Sequence, residues 1–396
     1  MRFPWLILIC LFIPFVAIAQ NGIISGTVTV AGTKNPLPRA SVFLSNSSVG
    51  SATAENGNYI LNGIRPGQYT LVVTVLGYED YSKTVLVGRE PIRLDIELSP
   101  KPLMLREVVI SSSADWKKNY EQFRKDFIGI DENAKNCNVV NPHILNLVYN
   151  RTKQTLEADA DEFLVVENKA LGYRVKFLLK DFKSDKISGI ISYEGQRLFE
   201  ELPGSAGEKK KWHEKREEAY YGSAMHFYRS LYTNKLSEDG FVMYRFKRQL
   251  NPDRPPEDVI RQKIKIFTQQ RRNDSLNFWI GLANMSKYSQ EYLDRLPLSM
   301  YEIMTNTGQP GIFAIHFTNY LYIVYSRKRD DVFNKDLYRP LDMPNYETSI
   351  VTLLNSPYVV FDMNGIVVGD APLYEGTWAK AKLSDLLPVD YVPDNH

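Results

Sequence analysis

Residues 54–80, "AENGNYILNGIRPGQYTLVVTVLGYED", hold the pattern on which the fold turns. Asn56-Gly57 is a hairpin-type pair, at which positive φ costs little. Pro66-Gly67 fits a tight turn in which proline sets φ and Gly67 takes the left-handed position. A short strand lies between these turns and a long one follows them, ended by Gly77 before Tyr78. Within "YTLVVTVLG", Leu71, Val73 and Val75 face one way and Val72 and Thr74 the other. Both faces are apolar enough to predict a central strand.

The flanking sequence repeats the signal. Ile24, Gly26, Val28 and Val30 alternate with Ser25, Thr27 and Thr29, as a strand with one buried face requires. The proline-rich connection "KNPLPRA" (34–40) leads into "SVFLSN" (41–46). "SKTVLVG" (82–88) and "IRLDIEL" (92–98) complete the set, the latter with Ile92, Leu94, Ile96 and Leu98 at strict period two. Seven short strands at this spacing predict an antiparallel β-sandwich over residues 20–100.

The stretch "SGTVTVAGTKNPLPRASVFLSNS" (25–47), then the quoted 54–80 and "KTVLV" (83–87), resembles the carboxypeptidase-regulatory-like domain. The Pro-Leu-x-x-Ala turn, the Gly-x-Tyr, the Pro-Gly-x-Tyr and the Gly-Tyr occur in the family's order. The resemblance covers about 80 residues and implies an all-β Greek-key sandwich of transthyretin (prealbumin) type. It also implies a Gram-negative envelope setting, because the same module opens many outer-membrane receptors and exported proteins. It does not imply peptidase activity, which in the enzymes belongs to another domain.

The first residues read as an export signal over 1–19. Arg2 supplies the positive region, Trp5 to Ile18 the apolar stretch, and Ala17-Ile18-Ala19 a cleavage site. The stretch falls short of the roughly 20 residues that span a bilayer. Ile9 precedes Cys10 where a lipoprotein signal needs a small residue, so no lipid attachment is expected. After cleavage Cys137 is the only cysteine, which excludes an internal disulfide and the small stapled extracellular scaffolds. At 396 residues the chain is long enough for two domains. Its net charge of +2 and aromatic content of 12% fit a packed globular protein without a nucleic-acid partner.

A zinc carboxypeptidase needs a His-x-x-Glu pair, a distant third histidine, an arginine and a glutamate base. The histidines here begin "HILN" (His143), "HEKR" (His213), "HFYR" (His226) and "HFTN" (His316), with His396 last, so the pair is missing. His213 and Glu217 are the best remaining metal candidate, four apart on one helical face. Two ligands without a visible third make a weak signal, and the mixed-charge run "EKKKWHEKREE" reads as a solvated helix surface. Cys137 reads as a small buried hydrophobe rather than a nucleophile served by His143. His316 reads as a hydrogen-bonded structural residue on a strand with Ile312, Ala314 and Thr318. No Gly-x-Ser-x-Gly elbow or P-loop occurs. No residue is assigned a catalytic, cofactor-binding or metal-binding role, and no cofactor is expected.

The junction "KPLMLREVVISSSA" (101–114) resembles the Glu-Val-Val segment that follows this sandwich in TonB-dependent receptors. A 22-stranded barrel at roughly ten residues per strand needs more than about 220 residues besides loops and plug. The about 290 that remain here include a long polar helix, so a full receptor is excluded and a small barrel disfavoured.

Residues 101–135 read as a linker containing a helix over 115–130, capped by Asp115, with Trp116, Tyr120, Phe123 and Phe127 at helical spacing. Residues 136–396 read as an α+β domain with an antiparallel sheet. "DEFLVVEN", "GYRVKFLLKDF" and "KISGIISYEG" are successive strands, and later strands fall near 241–248, 312–326 and 348–369. An Asn364-Gly365 hairpin is expected in the last of these. Between them "KKWHEKREEAYYGSAMHFYRSLYTNKL" (210–236) predicts one amphipathic helix of about six turns. Its stripe of Tyr220, Tyr221, Phe227, Tyr228 and Tyr232 fits core packing better than a ligand groove. "NPDRPPEDVIRQ" (251–262) is expected to be an exposed connection entering a short helix at Pro256.

The leading expectation is thus a non-catalytic exported envelope protein, in the periplasm or at the outer membrane. A sandwich for attachment or spacing is joined to a binding domain, with an envelope protein or a glycan as partner and no transmembrane helix after cleavage. The alternatives are a peptidase-like hydrolase with an unrecognised site and an accessory to TonB-dependent uptake.

Overall fold

The computed structural model describes residues 21–101, 113–330 and 337–394. The export signal, the Glu-Val-Val junction and His396 lie outside the described residues. Among the described residues no helix is long and apolar enough to cross a membrane.

Eight strands make the sandwich: β1 (Gly22–Val30), β2 (Ser41–Leu44), β3 (Gly50–Ala52), β4 (Asn58–Ile64), β5 (Gly67–Thr74), β6 (Tyr81–Val87), β7 (Ile92–Arg93) and β8 (Ile96–Leu98). One sheet runs β4-β1-β7 with β8 also on β1, the other β3-β2-β5-β6. The expected count of seven is exceeded because "IRLDIEL" is cut in two. Leu94 O comes so close to Gly26 that a Cβ there would stand 1.8 Å from it. Nor is the sandwich wholly antiparallel, since β7 and β8 pair with β1 in parallel. Gly57 has φ +77, as its turn predicts. Gly67 does not use positive φ; it opens β5, and a Cβ there would meet the Asn364 amide at 2.7 Å. It is small because another element crosses it.

Helix α1 (Ser113–Phe127) begins two residues before Asp115, which therefore sits in its first turn and not at its cap. Sequence reading makes this helix a link. In the structure Phe123 and Phe127 are fully buried in a core with Phe177 and Phe182. After α2 (Glu132–Lys135) come β9 (Cys137–Val139), β10 (Asn146–Asn150), β11 (Thr155–Asp159), β12 (Phe163–Asn168), β13 (Tyr173–Asp185) and β14 (Ile190–Glu201). They form an antiparallel six-stranded sheet in which β13 is central: β14 pairs along one edge, and β12 and β11 share the other. Tyr173, Val175, Phe177 and Leu179 are its buried face, as their alternation predicts.

The expected six-turn helix is two helices, α3 (Ala206–Tyr220) and α4 (Ala224–Tyr232). Gly222 takes φ +88 and the Ser223 hydroxyl accepts from His226 N–H, so the chain stops and is recapped within three residues. Then follow α5 (Leu236–Asp239), β15 (Phe241–Leu250), α6 (Glu257–Gln269), α7 (Asn273–Ala283), β16 (Tyr288–Pro297), β17 (Met304–Asn306), β18 (Ile312–Ile315), β19 (Tyr320–Arg329), β20 (Tyr346–Thr352), β21 (Val359–Asp362), β22 (Leu373–Gly376) and α8 (Thr377–Lys380). These strands form a five-stranded sheet, β16-β15-β19-β20-β22, and a three-stranded one, β17-β18-β21. Pro256 does precede a helix, and α6 with α7 makes a helical hairpin that sequence reading leaves unpaired.

The outer faces of β2 and β5 decide how these parts join. Leu71 and Val73 point into the sandwich core, whereas Phe43 and Val72 point out and are buried against Leu178 and Leu198 of the β13–β14 hairpin. Each such large side chain contributes roughly 1.5–3 kcal/mol by burial. The seam is also hydrogen-bonded: Asn46 N–H donates to Arg197 O at 2.7 Å, and Phe199 N–H donates to Ser47 O at 2.9 Å. Segment 381–394 also joins the seam. Val389 enters the sandwich core, while Leu383, Leu387 and Tyr391 enter the α1 core. Val389 N–H donates to Asn46 O at 2.7 Å, and Asp390 accepts from the amide and hydroxyl of Ser48.

Candidate functional site

The turn between β4 and β5 brings Arg65 and Pro66 beside the β21 turn, Met363 and Asn364, and the end of α4 at Tyr232. With Asn21 these residues line an open cleft of about 520 Å³ between the sandwich and the elements around α4. Local chemistry fixes its floor. Asp362 accepts from Asn364 N–H at 2.9 Å and Ile366 N–H at 3.0 Å, so its carboxylate builds the expected turn at Asn364-Gly365. Burial raises the Asp362 carboxyl to about 6 against those hydrogen bonds. Arg229 of α4 lies beneath, with its Nε donating to Asn364 O at 2.8 Å. The cleft thus offers a cation, amides, a thioether and an aromatic edge; the six lining residues include no carboxylate, imidazole or thiol.

The aromatic stripe divides between the two roles weighed from sequence. Tyr220, Phe227 and Tyr228 are buried, and Tyr221 is half-buried. Tyr232 alone of the stripe is exposed, at 37%; its ring is tilted against Phe313 with centroids 5.0 Å apart, and it lines the cleft. Arg65 and Met363 carry no sequence signal, because only the seam sets them side by side.

The titratable candidates fall elsewhere. Cys137 is buried, its thiol pushed up to about 12 by burial, and Sγ reaches Asn133 O rather than His143, which is exposed on its own turn. His316 falls just beyond β18 and is exposed, not aligned with buried Ile312 and Ala314. Its Nδ1 does hydrogen-bond Pro357 O at 2.7 Å.

Sequence reading passes over one triad-like group. His226 Nε2 stands 3.7 Å from Asp239 Oδ2, and Ser230 Oγ donates to that same oxygen at 2.5 Å. Nucleophile activation needs serine on the imidazole, not on the carboxylate. Here His226 Nδ1 accepts from Gly222 N–H, and burial lowers the ring to about 4, so it is a neutral core acceptor.

His213 and Glu217 do share a face of α3, with Nε2 and Oε1 3.8 Å apart, and a third group joins them: Asp394 Oδ2 lies 3.1 Å from His213 Nε2. Among the described residues, these three form a group that could hold a metal ion.

Residues 24–110 match the family model of the CarboxypepD_reg-like domain. The N-terminal sandwich is a CarboxypepD_reg-like domain. No curated protein matches the chain. Among solved structures, the pilus 2b backbone protein of group B streptococcus is 20% identical, over 21% of this chain and 42% of that one, with a TM-score of 0.19. BcpA, the major pilin subunit of Bacillus cereus, is 18% identical over 21% and 31%, with a TM-score of 0.18. A DUF3823 family protein from Bacteroides ovatus is 13% identical over 46% and 82%, with a TM-score of 0.17. The chain spans less than half the length of either pilin.

Proposed function

We propose that this chain is a non-catalytic, exported envelope protein. Its CarboxypepD_reg-like sandwich acts as a rigid attachment or spacer module, and the remainder presents a binding surface to an envelope protein or glycan. The seam carries the reading: the sandwich shares hydrogen bonds and a buried apolar layer with the β13–β14 hairpin and with segment 381–394. A module fixed in this way transmits position rather than swinging on a tether. The cleft at Arg65, Tyr232 and Met363 is the binding site in this proposal, since it exists only where the sandwich meets the rest. Its cation, amides and exposed ring suit polar groups and sugar faces.

A photo-crosslinking side chain at position 232, in protein expressed in its native envelope, tests this. Support is a reproducible adduct that disappears when Arg65 and Asn364 are replaced by alanine. An adduct pattern identical to that from a probe at position 278, exposed on α7 and outside the cleft lining, refutes it.

A further inference from the structure

Helix α3 carries His213 and Glu217 one turn apart, and segment 381–394 ends the described chain against them. The donor atoms of His213, Glu217 and Asp394 all lie within 4.8 Å of one another. In a tetrahedral site with metal–ligand bonds of about 2.0–2.1 Å, neighbouring donors stand about 3.3 Å apart. His213 and Asp394, at 3.1 Å, already have that spacing, and His213 and Glu217, at 3.8 Å, need only a small side-chain rotation. His213 and Glu217 are partly covered while Asp394 is exposed, so the group is reachable by an ion from solvent.

A second observation points to the same place. Tyr391, three residues before Asp394, is 8% exposed, and its hydroxyl is buried with no hydrogen-bond partner. Glu217 is the charged group that acts most strongly on that phenol, ahead of Arg216. A buried, unpaired hydroxyl within reach of the Glu217 charge is suited to a water bound to an ion held by that carboxylate.

We propose that His213, Glu217 and Asp394 bind a divalent transition-metal ion of the zinc type. One imidazole nitrogen and two carboxylate oxygens are the ligands, and water takes the open position. One imidazole with two carboxylates is a borderline nitrogen–oxygen set, which favours zinc over calcium or magnesium. The ion fastens segment 381–394 to α3, and that segment also joins the sandwich to the α1 core. Its role is a clasp on the assembled body, independent of what the cleft binds.

The test is calorimetric titration of the full chain, stripped of metal by chelation, with zinc chloride alone, followed by cobalt(II) absorption. One equivalent at low-micromolar affinity is expected, with a cobalt spectrum of low coordination number. His213→Ala and Asp394→Asn should each weaken zinc binding at least about tenfold, whereas His143→Ala, at an exposed histidine elsewhere, should not change it. The proposal is overturned if the wild type takes up no zinc below millimolar concentration, or if both variants bind as the wild type does. Should His213→Ala fold poorly by circular dichroism, Asp394→Asn, at an exposed side chain, decides the matter alone.

Discussion

Arg229 offers the sharpest test of the joined architecture. Its Nε donates to Asn364 O at 2.8 Å, Nη1 to Tyr391 O at 2.9 Å and Nη2 to Val389 O at 2.8 Å, and its guanidinium sits 5.4 Å from the Tyr220 ring centre. One side chain therefore holds the cleft turn and segment 381–394 to α4. Hydrogen bonds from a charged donor contribute roughly 1.5–3 kcal/mol each. Three at the lower end give about 4.5 kcal/mol, and the half-buried setting, where water can reach part of the vacated space, brings the expected loss for Arg229→Ala to about 3 kcal/mol. At roughly 2–4 °C per kcal/mol for a domain of 150–250 residues, the melting temperature should fall by about 6–12 °C. Arg229→Lys keeps the charge but cannot reach three carbonyls in a fork, so it should recover about a third of the loss. Urea unfolding followed by near-ultraviolet circular dichroism supplies both numbers. A loss below about 1 kcal/mol for Arg229→Ala, or full recovery by lysine, refutes the reasoning.

Three further outcomes are expected. Phe43→Ala empties the seam against Leu178 and Leu198 and should cost about 3–5 kcal/mol by denaturant titration; a cost under 1 kcal/mol would mean the outer face of β2 is not sealed. The Asp385 carboxyl is raised to about 6 by burial and then by Asp131, so its contribution to stability is full below the unfolded value near 4 and is lost as pH rises through about 6. Stability should thus rise on acidification from pH 7 to 5, and Asp385→Asn, which can still pair with Asn133, should flatten that slope; an unchanged slope in a pH series of melts sinks the assignment. The Cys137 thiol, held at about 12, should resist a chromogenic disulfide reagent at pH 8 at least about a hundredfold more than after denaturation, and rapid stoichiometric labelling of the native chain would contradict its burial.

Local patterns were the readable part. Period-two alternation marked β1, β5 and β13, because a strand's two faces are set by consecutive residues and need no knowledge of the partner. The same alternation showed that both faces of β5 would be covered, since Val72 is as apolar as Leu71 and Val73, but not that Leu198 would cover it. The break between α3 and α4 was readable in principle from Gly222-Ser223. The aromatic spacing on either side continues the helical period and masks the break. In the metal cluster the i,i+4 pair could be seen, whereas Asp394 could not.

What the sequence determined by itself was a β-sandwich of CarboxypepD_reg-like type, a following region of strands and helices, and the lack of a carboxypeptidase zinc motif. The tertiary structure alone decided the seam, the cleft and the approach of Asp394 to His213. Ser48 and Asp390, for instance, meet across 342 positions of chain. The reason is physical. Periodicity and turn chemistry act over a few residues, but the meeting of distant segments depends on which apolar faces remain unburied once each local element has formed, and that balance is struck by the whole chain at once.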